Sequence, residues 1–334
     1  MRKEILTVVF FITTVQLALS QFRNDKLITP VLKLSYQWQP EGDFETADDT
    51  WKYSALILDY RMPLIARMSK TGRAGSFGYK ALMLNTGLRY SFPVIGSLDE
   101  QHKLIDAKLG IGFFLYGGGR NVLMGGGNAN FFEDNYTIKD NIELRYNGFL
   151  NWHFKVFDFF GTNIGVTYTY KFGRALVLPL LGANFNFNKF NLRVALPLVL
   201  QASLVTSPKA KLVLFMMPDG SVNNFYNNGY DFPDKPEVVQ MRQRKYLVGL
   251  GLDVFAMPHV RLIPELGLML GQQIAFSDSP ITSDDNFYDE NIGSSIYLKI
   301  TAAVVFGKPA GWGKGHATNF LLDKDIEDVL KIGE

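Results

Sequence analysis

A period of two constrains this chain more than any other feature. Apolar residues recur at alternate positions over runs of about ten residues, the length a tilted strand needs to cross the hydrocarbon layer of a bilayer. The clearest run sets Ile142, Leu144, Tyr146, Leu150, Trp152 and Phe154 against Glu143, Arg145, Asn147, Asn151 and His153. Another sets Ile105, Ala107, Leu109, Ile111 and Phe113 against Asp106, Lys108, Gly110 and Gly112. Comparable runs span Leu32–Trp38, Leu82–Phe92, Ile164–Phe172, Leu192–Leu200, Val260–Leu270 and Ile296–Phe306. Weaker ones lie at Ala55–Met62, Val177–Phe187, Lys211–Met217 and Tyr246–Ala256.

Alternation alone also describes a soluble β-sandwich, so strand length and face chemistry must decide. Sandwich strands commonly have about five or six residues, and these runs are longer. The second face mixes glycine with charges of both signs, as the lumen of a small barrel does. Aromatic residues gather at strand ends (Trp38, Trp51, Tyr60, Tyr90, Phe92, Trp152, Phe154, Tyr170 and Phe172), as in the interfacial girdles of membrane barrels. Beyond the N-terminus, no uninterrupted apolar run reaches the length of a membrane-spanning helix. Only a closed sheet then satisfies its backbone within a bilayer. The expected fold is an all-β, antiparallel transmembrane β-barrel of about 12 strands, with 10–14 possible.

The first twenty residues differ from all that follow. Arg2 and Lys3 precede an apolar run from Ile5 to Val15, and Ala18-Leu19-Ser20 offers small residues before a cut at Gln21. This is the three-part pattern of a secretory signal peptide, so the chain is expected to be exported to the cell outer membrane. The chain has no cysteine, which excludes both disulfides and lipid attachment at a lipobox. A net charge of +2 without a basic stripe gives no footprint for nucleic acid. The expected organisation is a signal peptide over 1–20, a barrel over 21–307 and a tail over 308–334. In that tail, Asp323 starts a short helix with Ile326, Val329 and Leu330 on one face.

The short links Lys155–Phe159, Asn188–Phe190 and Met257–His259 read as periplasmic turns. Gly117–Asn141, Pro218–Arg244 and Gln273–Gly293 read as extracellular loops. With these assignments the up–down parity does not close, so a strand has been missed or a weak one is no crossing.

The short signal ending Ala-Leu-Ser-Gln and the repeated apolar-x-apolar strands go with prolines inside strands, at Pro63, Pro93 and Pro197. In these features the chain resembles the uncharacterised outer-membrane β-barrel proteins of Bacteroidota. That resemblance covers most of the mature chain and implies location and fold only. The chain departs from the usual barrel pattern in carrying a tail beyond the strand that ends at Phe306.

Candidate functional residues fall into two sets. Arg61, Arg89, Asp106, Lys108, Glu143, Arg145, His153, Lys171, Arg193, Asp253, Arg261, Glu265 and Lys299, together with Asp59, lie on the polar faces of their strands. They either pair and fill a narrow lumen or line a wider one. The second set lies in loops: Phe225, Tyr226, Tyr230 and Phe232, and the acids Asp284, Asp285 and Asp289 with Asp278 and Glu290. The aromatics either grip a partner or fold the loop over the barrel mouth. The acids match no EF-hand spacing, and the four histidines show no zinc spacing, so no metal or cofactor is expected. Glycines 117–119 and 125–127 lack the lysine and hydroxyl residue of a phosphate loop and read as a flexible loop. No serine is tied to a histidine by a motif, so no enzyme is expected. The expected partners are outer-membrane lipid, the barrel-assembly machinery during insertion and a small polar solute. Channel, closed recognition barrel and outer-membrane hydrolase are the three functional readings, with the channel leading.

Overall fold

The structure is a computed structural model that describes residues 30–306 apart from 46–48, 71–76, 97–101, 117–120, 137–142, 158, 188, 228–231, 280–282 and 284. The signal segment, the C-terminal tail, Tyr230 and Asp284 lie outside the described residues. The strands are β1 (Val31–Asp43), β2 (Thr50–Lys70), β3 (Phe77–Ile95), β4 (Leu104–Tyr116), β5 (Asn121–Asp134), β6 (Leu144–Phe157), β7 (Phe160–Thr169) and β8 (Leu176–Phe187). They continue as β9 (Phe190–Leu196), β10 (Val199–Ser207), β11 (Ala210–Pro218), β12 (Ser221–Tyr226), β13 (Val238–Met257), β14 (Val260–Ser277), β15 (Tyr288–Ile292) and β16 (Ser295–Val305). No helix among the described residues is long and apolar enough to cross a membrane.

Consecutive strands pair antiparallel from β1 to β11, and β11 then pairs with β13, β13 with β14, β14 with β16, and β16 with β1. The sheet therefore closes on itself as a barrel of 14 strands, counted along that ring. Its last seam pairs Val31 with Val305 and Trp38 with Leu298. Short β12 extends β11 past a break at Asp219-Gly220, and short β15 leads into β16 past Gly293-Ser294.

Two differences from the sequence reading account for the larger strand number and restore the parity. The first is β5, which lies inside the stretch read as the loop Gly117–Asn141 and includes Gly125-Gly126-Gly127. Triple glycine scores as loop because it packs nothing of its own. Here neighbouring rings cover it: a Cβ on Gly125 would sit 2.8 Å from the Phe113 ring, and one on Gly126 3.5 Å from the Phe149 ring. The second is the Leu192–Leu200 run, which is two strands. Pro197-Leu198 turns the chain, with the Leu198 N–H bonded to the Ala195 carbonyl at 2.8 Å. Pro197 thus ends a strand, while Pro63 and Pro93 lie within β2 and β3.

With fourteen crossings, both ends of the barrel chain and the connections at 158–159, 188–189, 208–209 and 258–259 share one end, termed the near end. The other end is the far end. Pro218–Arg244 and Gln273–Gly293 hold β12, β15 and the far-end parts of β13 and β14 besides true loop. The wall has uneven height. β2, β3, β13 and β14 have 21, 19, 20 and 18 residues, whereas β9 and β10 have 7 and 9.

The alternation sorts the side chains as expected. Leu34, Leu56, Leu109, Ile111, Leu150, Ile164, Leu214, Leu266, Leu298 and Ile300 all point outward and are 43–60 % exposed, giving the barrel an apolar outside. Such a surface on a monomer marks contact with an apolar partner or a membrane. Around the near end, Phe157 stacks on Phe159 (5.7 Å) and Phe159 on Phe187 (5.8 Å). Trp51 and Tyr170, read from sequence as girdle residues, are instead buried.

Candidate functional site

The inside of the barrel has two unlike halves. At the far end, inward residues of β2, β3 and β14 (Trp51, Tyr53, Ala55, Ile95, Ile274 and Phe276) meet Leu104, Val239, Met241 and Phe225 in one apolar core. Strand β12 makes this possible. Beyond Pro218 it has no wall strand at its outer edge, because β9 and β10 stop short. It runs against β4 and β5 instead, with Val222, Asn223 and Phe225 almost wholly buried. Its unpaired edge needs partners, since buried backbone groups are costly when unsatisfied. The Arg145 guanidinium donates to the Val222 carbonyl and to the Asn224 side chain. Asn224 donates to Glu133 (2.9 Å), and Asn223 donates to Asp106. Phe225 stacks on His102, whose Nδ1 pairs with Asp134. The β7–β8 turn closes the side of this half. Tyr170 and Ala175 pack on Val222, and a Cβ on Gly220 would lie 2.4 Å from the Gln243 carbonyl and 2.5 Å from that of Lys171.

Directly beneath the core lies a charged layer. Asp219, at the β11–β12 break, sits 3.8 Å from both the Arg89 and the Lys245 side chains, and the Lys245 ammonium lies 4.4 Å from the Tyr53 ring centre.

The near half is hollow. A cavity of about 610 Å³ is lined by Arg89, Asp106, Lys108, Lys171, Asp253, Arg261, Glu265 and Lys299, with Asp59 and Lys33. A second, of about 470 Å³, is lined by Arg61, Lys171, Arg193 and Lys211 with amides and hydroxyls. The two share Asn128, Asn147, Thr169, Lys171, Gln201 and Met217, so they adjoin. Within it, opposite charges pair across strands: Lys108 with Asp59, Arg261 with Asp253 (3.0 and 2.7 Å) and Lys299 with Glu265 (3.2 Å). Ser35 and Thr301 bond at 2.8 Å across the closing seam.

Ten of the thirteen lumen candidates thus line these cavities. Three do not. Glu143 precedes β6 and is exposed at the far end, where it pairs with Arg145 at 3.2 Å. The alternation counted it inward because the strand was drawn too long. Arg145 points inward but is spent on the edge of β12. His153 is buried on the inner face, where a Cβ on Gly161 would lie 2.2 Å from its ring, and it lines neither cavity. The second ring nitrogen of His102 is buried and has no hydrogen-bond partner among the described residues.

In the loop set, Phe225 and Phe232 pack into the far-end core, and Tyr226 leans on Tyr136. Asp285 accepts from the Ser283 hydroxyl (2.6 Å), and Asp289 accepts from Gln273 and from Asn286 (3.1 Å). Among the described residues no group of three or more acids, histidines or cysteines converges as a metal site.

Sequence reasoning missed Lys33, Lys211, Asp219, Lys245 and the amides Asn128, Asn147 and Gln201. Lys33 and Lys211 sit in alternating runs and were legible there. Asn128 was hidden with β5, and Pro218-Asp219-Gly220 looked like the start of a loop.

Neither a protein-family model nor a curated protein sequence matches the chain. Among solved structures it is similar to an outer membrane channel from Pseudomonas putida F1, at 11% identity and a TM-score of 0.44, covering 86% of this chain and 98% of that one. It is also similar to the translocator domain of the autotransporter NalP from Neisseria meningitidis, at 12% identity and 0.32, covering 91% and 98%. A third is the Pseudomonas putida toluene transporter TodX, at 10% identity and 0.32, covering 85% and 90%. The class is defined by the molecule itself: a closed antiparallel barrel, apolar outside and charged within its near half, the architecture of outer-membrane barrels.

Proposed function

We propose that this chain is an outer-membrane channel barrel that passes small polar solutes. The observation that carries the reading is the hollow near half, with two adjoining cavities of about 610 and 470 Å³ lined by many charged and amide side chains. A barrel meant only as a plug would fill that space with side chains, as small eight-stranded barrels do. The exposed apolar wall supports residence in a membrane, and even parity puts the start of β1 and the end of β16 on one side, which is the periplasm for an exported chain. On this reading the N-terminal segment is a signal peptide, and the assembly machinery and outer-membrane lipid are its partners. The resemblance to Bacteroidota outer-membrane barrels is part of the same proposal.

The far-end core shuts the extracellular mouth, so the channel is gated. A closed recognition barrel would display its loop aromatics, whereas Phe225 and Phe232 are turned inward. Planar-bilayer recording of the refolded protein tests the reading. Discrete current steps separated by long closed intervals are expected. Silence from protein whose circular dichroism shows an intact β-sheet overturns it.

A further inference from the structure

We propose that the lumen has a second port, a window in the barrel wall above the β9–β10 turn, which admits an uncharged single-chain amphiphile from the membrane. This goes beyond the channel reading and requires only that the barrel stand in a bilayer.

The window follows from the strand register. β8 pairs with β9 only from Leu181 to Phe187, so its residues Leu176 to Leu180 pair with β7 alone among the described residues. On the other side β10 pairs with β11 up to Met216, and Met217 and Pro218 pair with β13 alone. Among the described residues, the wall above Leu196-Pro197-Leu198-Val199 therefore lacks two strands. The gap has a lintel, because the β7–β8 turn bends inward across it. Tyr170 and Ala175 of that turn pack on Val222, and a Cβ on Gly173 would lie 3.3 Å from the Gln243 carbonyl of β13.

The smaller lumen cavity, of about 470 Å³, reaches this gap. Every side of the frame contributes to its lining: Leu180 on β8, Leu198 and Val199 on the sill, Met217 on β11 and Lys171 on the lintel. Strand β9 has 7 residues, fewer than the roughly 9–11 a tilted strand needs to cross the hydrocarbon layer. The sill therefore lies at the depth of the lipid chains. Outside it, Val177, Leu181, Leu196, Leu200 and Met216 are exposed, so lipid rather than water meets the opening.

The chemistry changes from the frame inward, and that change selects the ligand. The frame is mostly apolar, and behind it the cavity is lined by Arg61, Arg193 and Lys211 with amides and hydroxyls. These three cations already interact within the protein. Asn147, by contrast, accepts from Asn128 at 2.8 Å through its oxygen and keeps its amide N–H groups for donation, with Gln201 and Thr169 lining the same space. A hydroxylated, uncharged head both donates to and accepts from such groups, while its chain stays against the apolar frame. The cavity falls within the range of about 300–1,000 Å³ usual for small-molecule sites.

The full refolded protein in phosphatidylcholine vesicles tests this with a monoacylglycerol carrying a photoreactive group beside its glycerol head. Labelling is expected on the inward-facing Asn147 and Gln201, suppressed by excess unlabelled monoacylglycerol and indifferent to glycerol. Leu198→Trp and Val199→Trp each fill the sill. Whichever keeps its β-sheet circular dichroism should lose labelling about tenfold, whereas Leu109→Trp, on the outer face of β4, should label as the unaltered chain does. Labelling confined to outward-facing residues, suppression by glycerol, or full labelling of a folded sill variant overturns the port. Intact labelling with a silent planar bilayer leaves the port standing and overturns the channel.

Discussion

The two halves of the barrel interior are built from the same strands yet obey different rules. In β2, Trp51, Tyr53 and Ala55 face inward at the far end, and Asp59 faces inward further down. In β13, Val239 and Met241 give way to Lys245 and then Asp253. The far half is a packed core that happens to lie inside a cylinder, stabilised as any protein core is, by apolar burial. The near half is stabilised by its outer wall and by ion pairs, and its centre is left to water-sized space. Asp219, held between Arg89 and Lys245, marks the frontier. What this teaches is that one barrel separates support from passage along its axis rather than between domains.

Three substitutions break or sharpen that contrast. The largest effect is expected at Phe225, which joins β12 to the far-end core. Phe225→Ala should lower stability by about 3–5 kcal/mol in urea unfolding from lipid vesicles, and should raise the open probability in bilayer recordings. A stable variant with unchanged gating would show that β12 does not close the mouth. Next comes Arg261→Met, which leaves Asp253 buried without its guanidinium. That should cost about 3 kcal/mol in the same assay, and the further change Asp253→Leu should recover most of it. No recovery would mean that the pair serves more than mutual neutralisation. The smallest effect belongs to the far-end surface. There the Lys235 ammonium, hydrogen-bonded to Asp278 at 3.0 Å, holds that carboxyl below its ordinary 3.8. A depressed carboxylate adds stability above its ordinary value and loses it as pH falls through the folded one. Asp278→Asn should therefore lower the melting temperature slightly at about pH 7 and leave it unchanged at about pH 2. An equal loss at both would assign the effect to packing.

How much of this was legible from the sequence follows from the same division. Where one face is apolar and the other polar, as in β4, β6 and β16, the period of two showed strand, face and environment together. Where the inner face is apolar as well, the pattern blurred, and Trp51 passed for an interfacial residue. Glycine run 125–127 hid β5 because its stabilising rings, Phe113 and Phe149, sit on other strands. Pro197 hid a turn because the apolar period happens to run through it. The smaller cavity was half visible: Arg61, Lys171 and Arg193 read as lumen-facing from the alternation. Their convergence needed the register of β2, β9 and β11 around a closed ring.

The seam between β1 and β16 has a consequence for how this molecule comes into being. Val31 and Val305 stand at opposite ends of the barrel sequence, yet they are ladder partners. The other wall contacts join strands close in sequence, but the ring is complete only when β16 pairs with both β14 and β1. A chain cut before β16 is therefore no smaller barrel: it is an open sheet with two raw edges, at β1 and β14, each a template for misassociation. Such long-range closure is intrinsically slow, so the last pairing to form is the one on which every exposed edge depends.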